Sequence, residues 1–170
     1  MYNKISNQMD VIGFGGGCHW CTEAVFQSLI GVDKVSQGWI NSIRPYDDFS
    51  EAVLVNFQPD IIDLKTLLAV HLYTHSATSQ HSLRNKYRSA AYYFSEKSKE
   101  EAIALLSEFQ KEFKGKLITK ILPFQSFKPN KPAYINYYTK QPEKPFCKTY
   151  IEPKLLLIQQ KFKKNIRHEK

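Results

Sequence analysis

The stretch GFGGGCHWCTEAVFQ, residues 13–27, holds four of the chain's seven glycines and two of its three cysteines, beside His19, Trp20 and Glu23. Cys18 falls where a short apolar segment ends in glycine and a helical pattern begins. A sulfur at a helix start meets unpaired backbone N–H groups and the positive end of the helix dipole, which favours thiolate. Thiolate is the nucleophilic form of cysteine, and a Cys-X-X-Cys pair lowers the pKa further. Gly15, Gly16 and Gly17 carry no Cβ, so backbone there can approach a substrate closely. The grouping therefore predicts a reactive sulfur presented by a strand-to-helix turn. A buried structural cysteine fits two cysteines around His-Trp poorly. Zinc needs four ligands, and beyond Cys18 and Cys21 the chain offers only Cys147 and scattered histidines. A thioredoxin-like disulfide exchanger uses the same Cys-X-X-Cys at a helix start, and at this level it stays open. Glu23 reads as a partner of the helix dipole, outside the site.

DVIGFG (10–15) is short, apolar and stopped by glycine, as a buried strand is. Residues 18–30 read as a helix with Trp20, Ala24, Phe26 and Ile30 inward and Gly31 as its stop. KVSQGWI (34–40) and EAVLVNF (51–57) read as an antiparallel hairpin joined by the polar NSIRPYDDFS. Ile61, Leu64, Leu67, Leu68 and Leu72 recur at helical spacing over 60–75, with entry at Pro59-Asp60. RSAAYYF (88–94) is a further strand. Ser98 with Glu101 suggests a capping box for a helix running to Gly115, with Ile103, Leu106, Phe109 and Phe113 near one face. KLITKILP is a last strand, residues 130–146 read as irregular, and a terminal helix begins at Pro153. The first six elements run strand, helix, strand, strand, helix, strand, the split βαβ pattern of ferredoxin-like α+β domains. An added helix and strand complete a core over about 10–125, and a C-terminal extension follows over about 126–170. All of it is expected to form a single catalytic domain. Fold alone does not set activity.

Apolar residues make up 42% of the chain and aromatics 14%, which excludes a disordered chain. No apolar run approaches the roughly 18 residues that cross a bilayer, and the start MYNKISNQMD has no signal-peptide character. The expectation is a cytoplasmic protein without a membrane partner, in a reducing compartment where cysteines do thiol chemistry. The net charge of +8 is the one feature that suggests nucleic acid. Much of the excess lies in QQKFKKNIRHEK, and the other lysines spread as a solvated face does, so a basic nucleic-acid-binding module is the weaker reading.

Beyond the cysteine pair, GFGGGCHWCTEAVF resembles the GCFW signature of the A-type peptide methionine sulfoxide reductases. IGVDKVSQGW resembles the segment after that family's first helix, and SEAVLVNFQP resembles its acid-bearing strand. LLAVHLYTHSAT resembles the helix ending in HDPT, NKYRSAAYYF the QYRS strand, and YINYYTKQPEKPFC the tyrosine-rich stretch that ends at a recycling cysteine. The likeness covers roughly residues 11–155 in the family's order. It implies that Cys18 is the nucleophile, that Trp20 and His19 belong to the pocket for the substrate methyl group, and that Glu51 protonates the sulfoxide oxygen. It also implies that Tyr87 hydrogen-bonds that oxygen and that Cys147 resolves, with Cys21 as an alternative resolving thiol. The implied cycle reduces methionine S-sulfoxide, free or in proteins, through a Cys18 sulfenic acid and a disulfide that a thioredoxin-like dithiol restores. No metal or organic cofactor is implied. The logic is sound on its own terms, because attack on sulfoxide sulfur needs a thiolate and the departing oxygen needs a proton. Four departures stand out. His19 replaces a usual phenylalanine, Ser82 an aspartate, and Phe49-Ser50 precede Glu51 without the usual histidine. The short 41–50 loop lacks the family's GG…Y stretch, and Tyr46 is differently spaced.

Overall fold

A computed structural model describes residues 8–167. The first seven residues, part of the start that was read as lacking a leader, lie outside the described residues. Strand β1 (Asp10–Gly15) runs antiparallel to β3 (Ser50–Phe57) on one side and to β4 (Ala90–Tyr93) on the other. Strand β2 (Val32–Asn41) pairs antiparallel with β3, as the hairpin reading expects. The order β4-β1-β3-β2 is that of the split βαβ core. Strand β5 (Lys120–Pro123) adds parallel to β4, and β6 (Ser126–Pro129) adds antiparallel to β2 at the opposite edge. No strand is predicted at β6. It exists because Gly38 leaves the neighbouring backbone room: a Cβ there would stand 2.0 Å from the Lys128 carbonyl oxygen.

Helices α1 (His19–Gln27), α2 (Leu64–Thr74), α3 (Glu96–Phe109), α4 (Tyr137–Lys140) and α5 (Glu152–Lys161) complete the chain. Ile12, Phe14, Val53 and Val55 of the sheet pack with Val25, Phe26, Leu67, Leu68 and Ala102 of the helices in one core. Phe14 and Phe26 stack at 4.8 Å, which ties β1 to α1 directly beneath the cysteine turn. Ile40, Ala52, Ala90, Tyr92 and Leu122 form a smaller second cluster.

Several boundaries differ from the sequence reading, each for a physical reason. Helix α1 begins at His19 with Cys18 as its N-cap and ends at Gln27, so Ile30 is 39% exposed and Gly31, at φ 96°, serves a later turn. Asp63, not Pro59-Asp60, starts α2, because its carboxylate accepts from the Thr66 N–H at 2.8 Å; Ile61 is then left outside and exposed. Ser95, not Ser98, caps α3 by accepting from the Ser98 N–H. That helix ends at Phe109 in a 3₁₀ turn, Gln110–Glu112, short of Gly115, and Ile103 faces solvent. The irregular segment contains a 3₁₀ turn, Pro132–Tyr134, and α4. A π turn over Cys147–Ile151 leads into α5, where Pro153 occupies the first turn.

Candidate active site

The turn after β1 rests on a buried polar floor. Gly16, at φ 153°, takes a backbone conformation that favours glycine, and a Cβ there would stand 2.5 Å from the His75 ring. His71 Nε2 donates to the Gly15 carbonyl at 2.7 Å. His75 stacks on His71 at 4.1 Å, donates through Nδ1 to the His71 carbonyl and accepts from the Ser89 hydroxyl at 2.7 Å. Burial pushes His71 down to about 4, so it is neutral near physiological pH. Arg84 donates to the carbonyls of Gly16 (2.7 Å) and Tyr87 (2.9 Å), fastening the turn from the other side. His81 and Ser82 sit exposed at the 3₁₀ turn Ser82–Asn85.

Cys18, as N-cap, is half-buried at the end of that turn. Its thiol is pulled below the ordinary value chiefly by the Cys21 S–H, which donates to the Cys18 sulfur, and further by the N–H groups of Trp20 and Cys21. Burial and the Glu51 charge oppose this without reversing it. The same bond and burial push the Cys21 thiol up, while the ammonium of Lys154 acts the other way. Lys154 reaches from α5 to donate to the Thr74 carbonyl. With Cys18, Cys21, Thr22, His71 and His75 it lines a cavity of about 20 Å³. Cys147 is fully buried, its S–H donating to the Gln141 carbonyl at 3.3 Å. It clusters with Cys21, Ala24 and Ile151, against which Cys18, Tyr137 and Phe146 pack. All three thiols are thus brought to one end of α1.

Glu51 stands beside them, 6% exposed. The His19 N–H donates to its Oε1 at 3.3 Å, and Lys86 Nζ lies 3.6 Å from its Oε2. Tyr87 is half-buried next to Lys86, whose ammonium lies 5.1 Å from the phenol ring. Trp20 is stacked on Tyr137 at 4.1 Å and on Tyr134 at 5.6 Å, with Phe146 edge-on at 5.2 Å. The face of the indole is therefore occupied by rings of the C-terminal extension. Tyr46 lies over Arg88 and Lys120, apart from this group.

Glu23 corrects the sequence reading. It is 1% exposed and anchors the extension, accepting from the N–H groups of Asn136 (3.1 Å) and Tyr137 (3.3 Å). Burial raises its pKa. The available signal was helical spacing: Trp20, Glu23 and Gln27 share a face, and Gln27 also meets Asn136, donating to its Oδ1 at 2.7 Å. Arg84, His71, Lys154 and Asn130 also escaped the sequence reading, because nothing local marks their reach.

A thiol of lowered pKa at a helix start, with further thiols and a buried carboxyl group within one cluster, is the equipment of a thiol-based oxidoreductase. The peptide methionine sulfoxide reductase family matches residues 10–167. The peptide methionine sulfoxide reductase MsrA of Sulfolobus acidocaldarius is 32% identical, over 92% of this chain and 95% of that one. Its counterpart in Thermus thermophilus is 31% identical over 93% and 98%. The reduced form of Mxr1 from Saccharomyces cerevisiae has the same fold, with a TM-score of 0.74, 22% identity and coverage of 85% and 92%. Methionine sulfoxide reductase A of Corynebacterium diphtheriae does too, at 0.71, 20% identity, 82% and 78%. The chain belongs to the peptide methionine sulfoxide reductase family, and its activity is thiol-dependent reduction of methionine sulfoxide. Neither a general disulfide exchanger nor a nucleic-acid module is favoured. Among the described residues no helix is long and apolar enough to cross a membrane.

Proposed function

We propose that Cys18 attacks the sulfur of methionine S-sulfoxide while Glu51 gives a proton to the sulfoxide oxygen and the Tyr87 hydroxyl orients it. The S–O bond breaks as the sulfur–sulfur bond forms, the oxygen leaving as water with a second proton from solvent. A water molecule then attacks the Cys18 sulfur, gives that second proton back and leaves a sulfenic acid, and methionine departs with the electron pair of the sulfur–sulfur bond. A second thiol then attacks the sulfenic sulfur, water leaves, and a disulfide closes. Cys147 is that thiol, and Cys21 serves first to keep Cys18 ionised; His19 and Trp20 line the pocket for the substrate methyl group. A dithiol protein of the thioredoxin type reopens the disulfide; Mxr1 from Saccharomyces cerevisiae forms a complex with Trx2. The residues act as one catalytic domain in the cytoplasm.

The observation that carries this reading is the 3.3 Å bond from the first residue of α1 to Glu51, which puts a buried acid one residue from the helix-start sulfur. The test is a single turnover with each sulfoxide epimer separately, followed by mass mapping. Consumption of the S epimer with formation of a Cys18–Cys147 disulfide supports it, and Cys18→Ser must abolish turnover. Activity confined to the R epimer, or a Cys18→Ser variant with full activity, overturns it. A Cys18–Cys21 disulfide as the end product transfers the resolving role to Cys21.

A further inference from the structure

A cavity of about 220 Å³ opens at the end of the sheet that presents the cysteine turn. Gly15, which ends β1, pairs with Ala90 at the start of β4, and Ala90 pairs in turn with Lys120 at the start of β5. Arg84, Arg88 and Lys120 bring three positive charges to the cavity lining, and Asp48 brings a negative one. Among the described residues no carboxylate stands within ion-pair distance of any of the three cations. Arg88 is only 8% exposed. Its Nη1 donates to the Tyr92 hydroxyl at 3.2 Å and its Nη2 to the Asp48 carbonyl at 2.8 Å, neutral acceptors that leave the charge unmatched. A guanidinium has five N–H donors, so these two bonds do not exhaust it. Arg88 and Lys120 both face the Tyr46 ring, at 5.6 and 5.3 Å, and a ring holds cations without neutralising them. Arg84 gives its hydrogens to the carbonyls of Gly16, Ser76, Ser79 and Tyr87, so it adds charge to the wall rather than a free donor. A charge as buried as that of Arg88 is ordinarily matched by an opposite one, and the cavity has room for a carboxylate to match it.

The cavity shares parts with the active site. The bond from Arg84 to Gly16 ties its wall to the turn two residues before Cys18. The Arg88 N–H donates to Ser50 Oγ at 2.7 Å, and Ser50 directly precedes Glu51, as Tyr87 directly precedes Arg88. Neighbouring strands lie about 4.8 Å apart, so the Lys120 backbone, two strands over, is about 10 Å from the end of β1. Three residues of extended peptide span that separation, at about 3.3 Å each. We propose that this cavity is a substrate subsite for the carboxylate of an aspartate or glutamate two or three residues from the oxidised methionine, so that the enzyme favours acidic segments of its protein substrates. The proposal rests on the reading of Cys18, Glu51 and Tyr87 given above. Lys120 and Arg88 hold the carboxylate, Arg84 adds to the positive field, and the chain's net charge of +8 draws acidic segments from a distance.

The test measures kcat/KM, with dithiothreitol as reductant, for short peptides capped at both ends. Each carries one methionine S-sulfoxide and either glutamate, glutamine or lysine at one of the three positions on either side. In the wild type at low salt, glutamate at its best position is expected to exceed glutamine about tenfold, chiefly through KM. The ratio should fall toward one in about 0.5 M KCl, since the mouth of the cavity is open to solvent. Lys120→Met should reduce the ratio to about twofold, Lys120→Arg should restore it, and Lys120→Glu should turn the preference toward lysine. A purely structural role of Lys120 lowers the values for all peptides together and leaves the ratios in place. Equal kcat/KM for glutamate and glutamine at every position, or a glutamate preference that survives Lys120→Glu unchanged, overturns the proposal. Turnover of any of these peptides by Cys18→Ser overturns the underlying reading instead.

Discussion

Removing the Glu23 carboxylate tests how the C-terminal extension is held. In Glu23→Ala the N–H groups of Asn136 and Tyr137, now satisfied at 3.1 and 3.3 Å, lose their acceptor. At about 1 kcal/mol for each lost bond the extension is held about 2 kcal/mol less firmly. That converts to a roughly 30-fold larger open population. Cys147 is fully buried in the closed state, so it reports opening directly. Alkylation of Cys147 by iodoacetamide under native conditions, read by peptide mass, is expected to be about 30-fold faster where reclosing outpaces the reagent. Glu23→Gln keeps one acceptor oxygen and falls between the two. The sign of the pH dependence follows from burial, which raises Glu23 above its ordinary 4.5. The folded state therefore binds this proton more tightly than the unfolded chain. Stability from this group is present below about 4.5 and is lost as pH rises through the higher folded value. Urea unfolding across the acid range should show that slope in the wild type and lose it in Glu23→Gln. Equal Cys147 alkylation in Glu23→Ala and wild type would refute the anchor.

Cys21→Ala removes the S–H that does most to lower Cys18, so the midpoint of Cys18 alkylation against pH should rise and its rate at neutral pH should fall. Gly38→Ala drives a Cβ to 2.0 Å from the Lys128 carbonyl, which should cost about 1–3 kcal/mol and lower the melting temperature as β6 separates. Ser95→Ala should cost about 1 kcal/mol in chemical denaturation through loss of the α3 cap, whereas Glu101→Ala should leave stability unchanged.

The split βαβ core was legible because its signals are local: DVIGFG is a short apolar run stopped by glycine, and the two hairpin strands concentrate β-branched and aromatic residues. Helix starts slipped by a few residues wherever two cap-competent side chains lie close together. Asp60 and Asp63 both qualify, as do Ser95 and Ser98, and the choice depends on where the helix meets the sheet. Strand β6 was hidden, since four edge residues have little pattern and depend on a glycine in a distant strand. In the site, Cys18 could be read from its turn alone. Glu51 needed the likeness to a family, because a carboxylate opening a strand has no local mark of burial. Glu23 was misread for the opposite reason: its local context offered a sufficient explanation, and the partners that bury it come from α4 and the turn before it.

The rings that cover Trp20 and the sulfur of Cys147 belong to one segment, fastened to α1 through Glu23 and Gln27. Under the proposed cycle, the same tail carries both the rings over the indole that would meet the sulfoxide and the sulfur that would close the disulfide, so a change at Glu23 or Gln27 reaches both halves of the cycle at once.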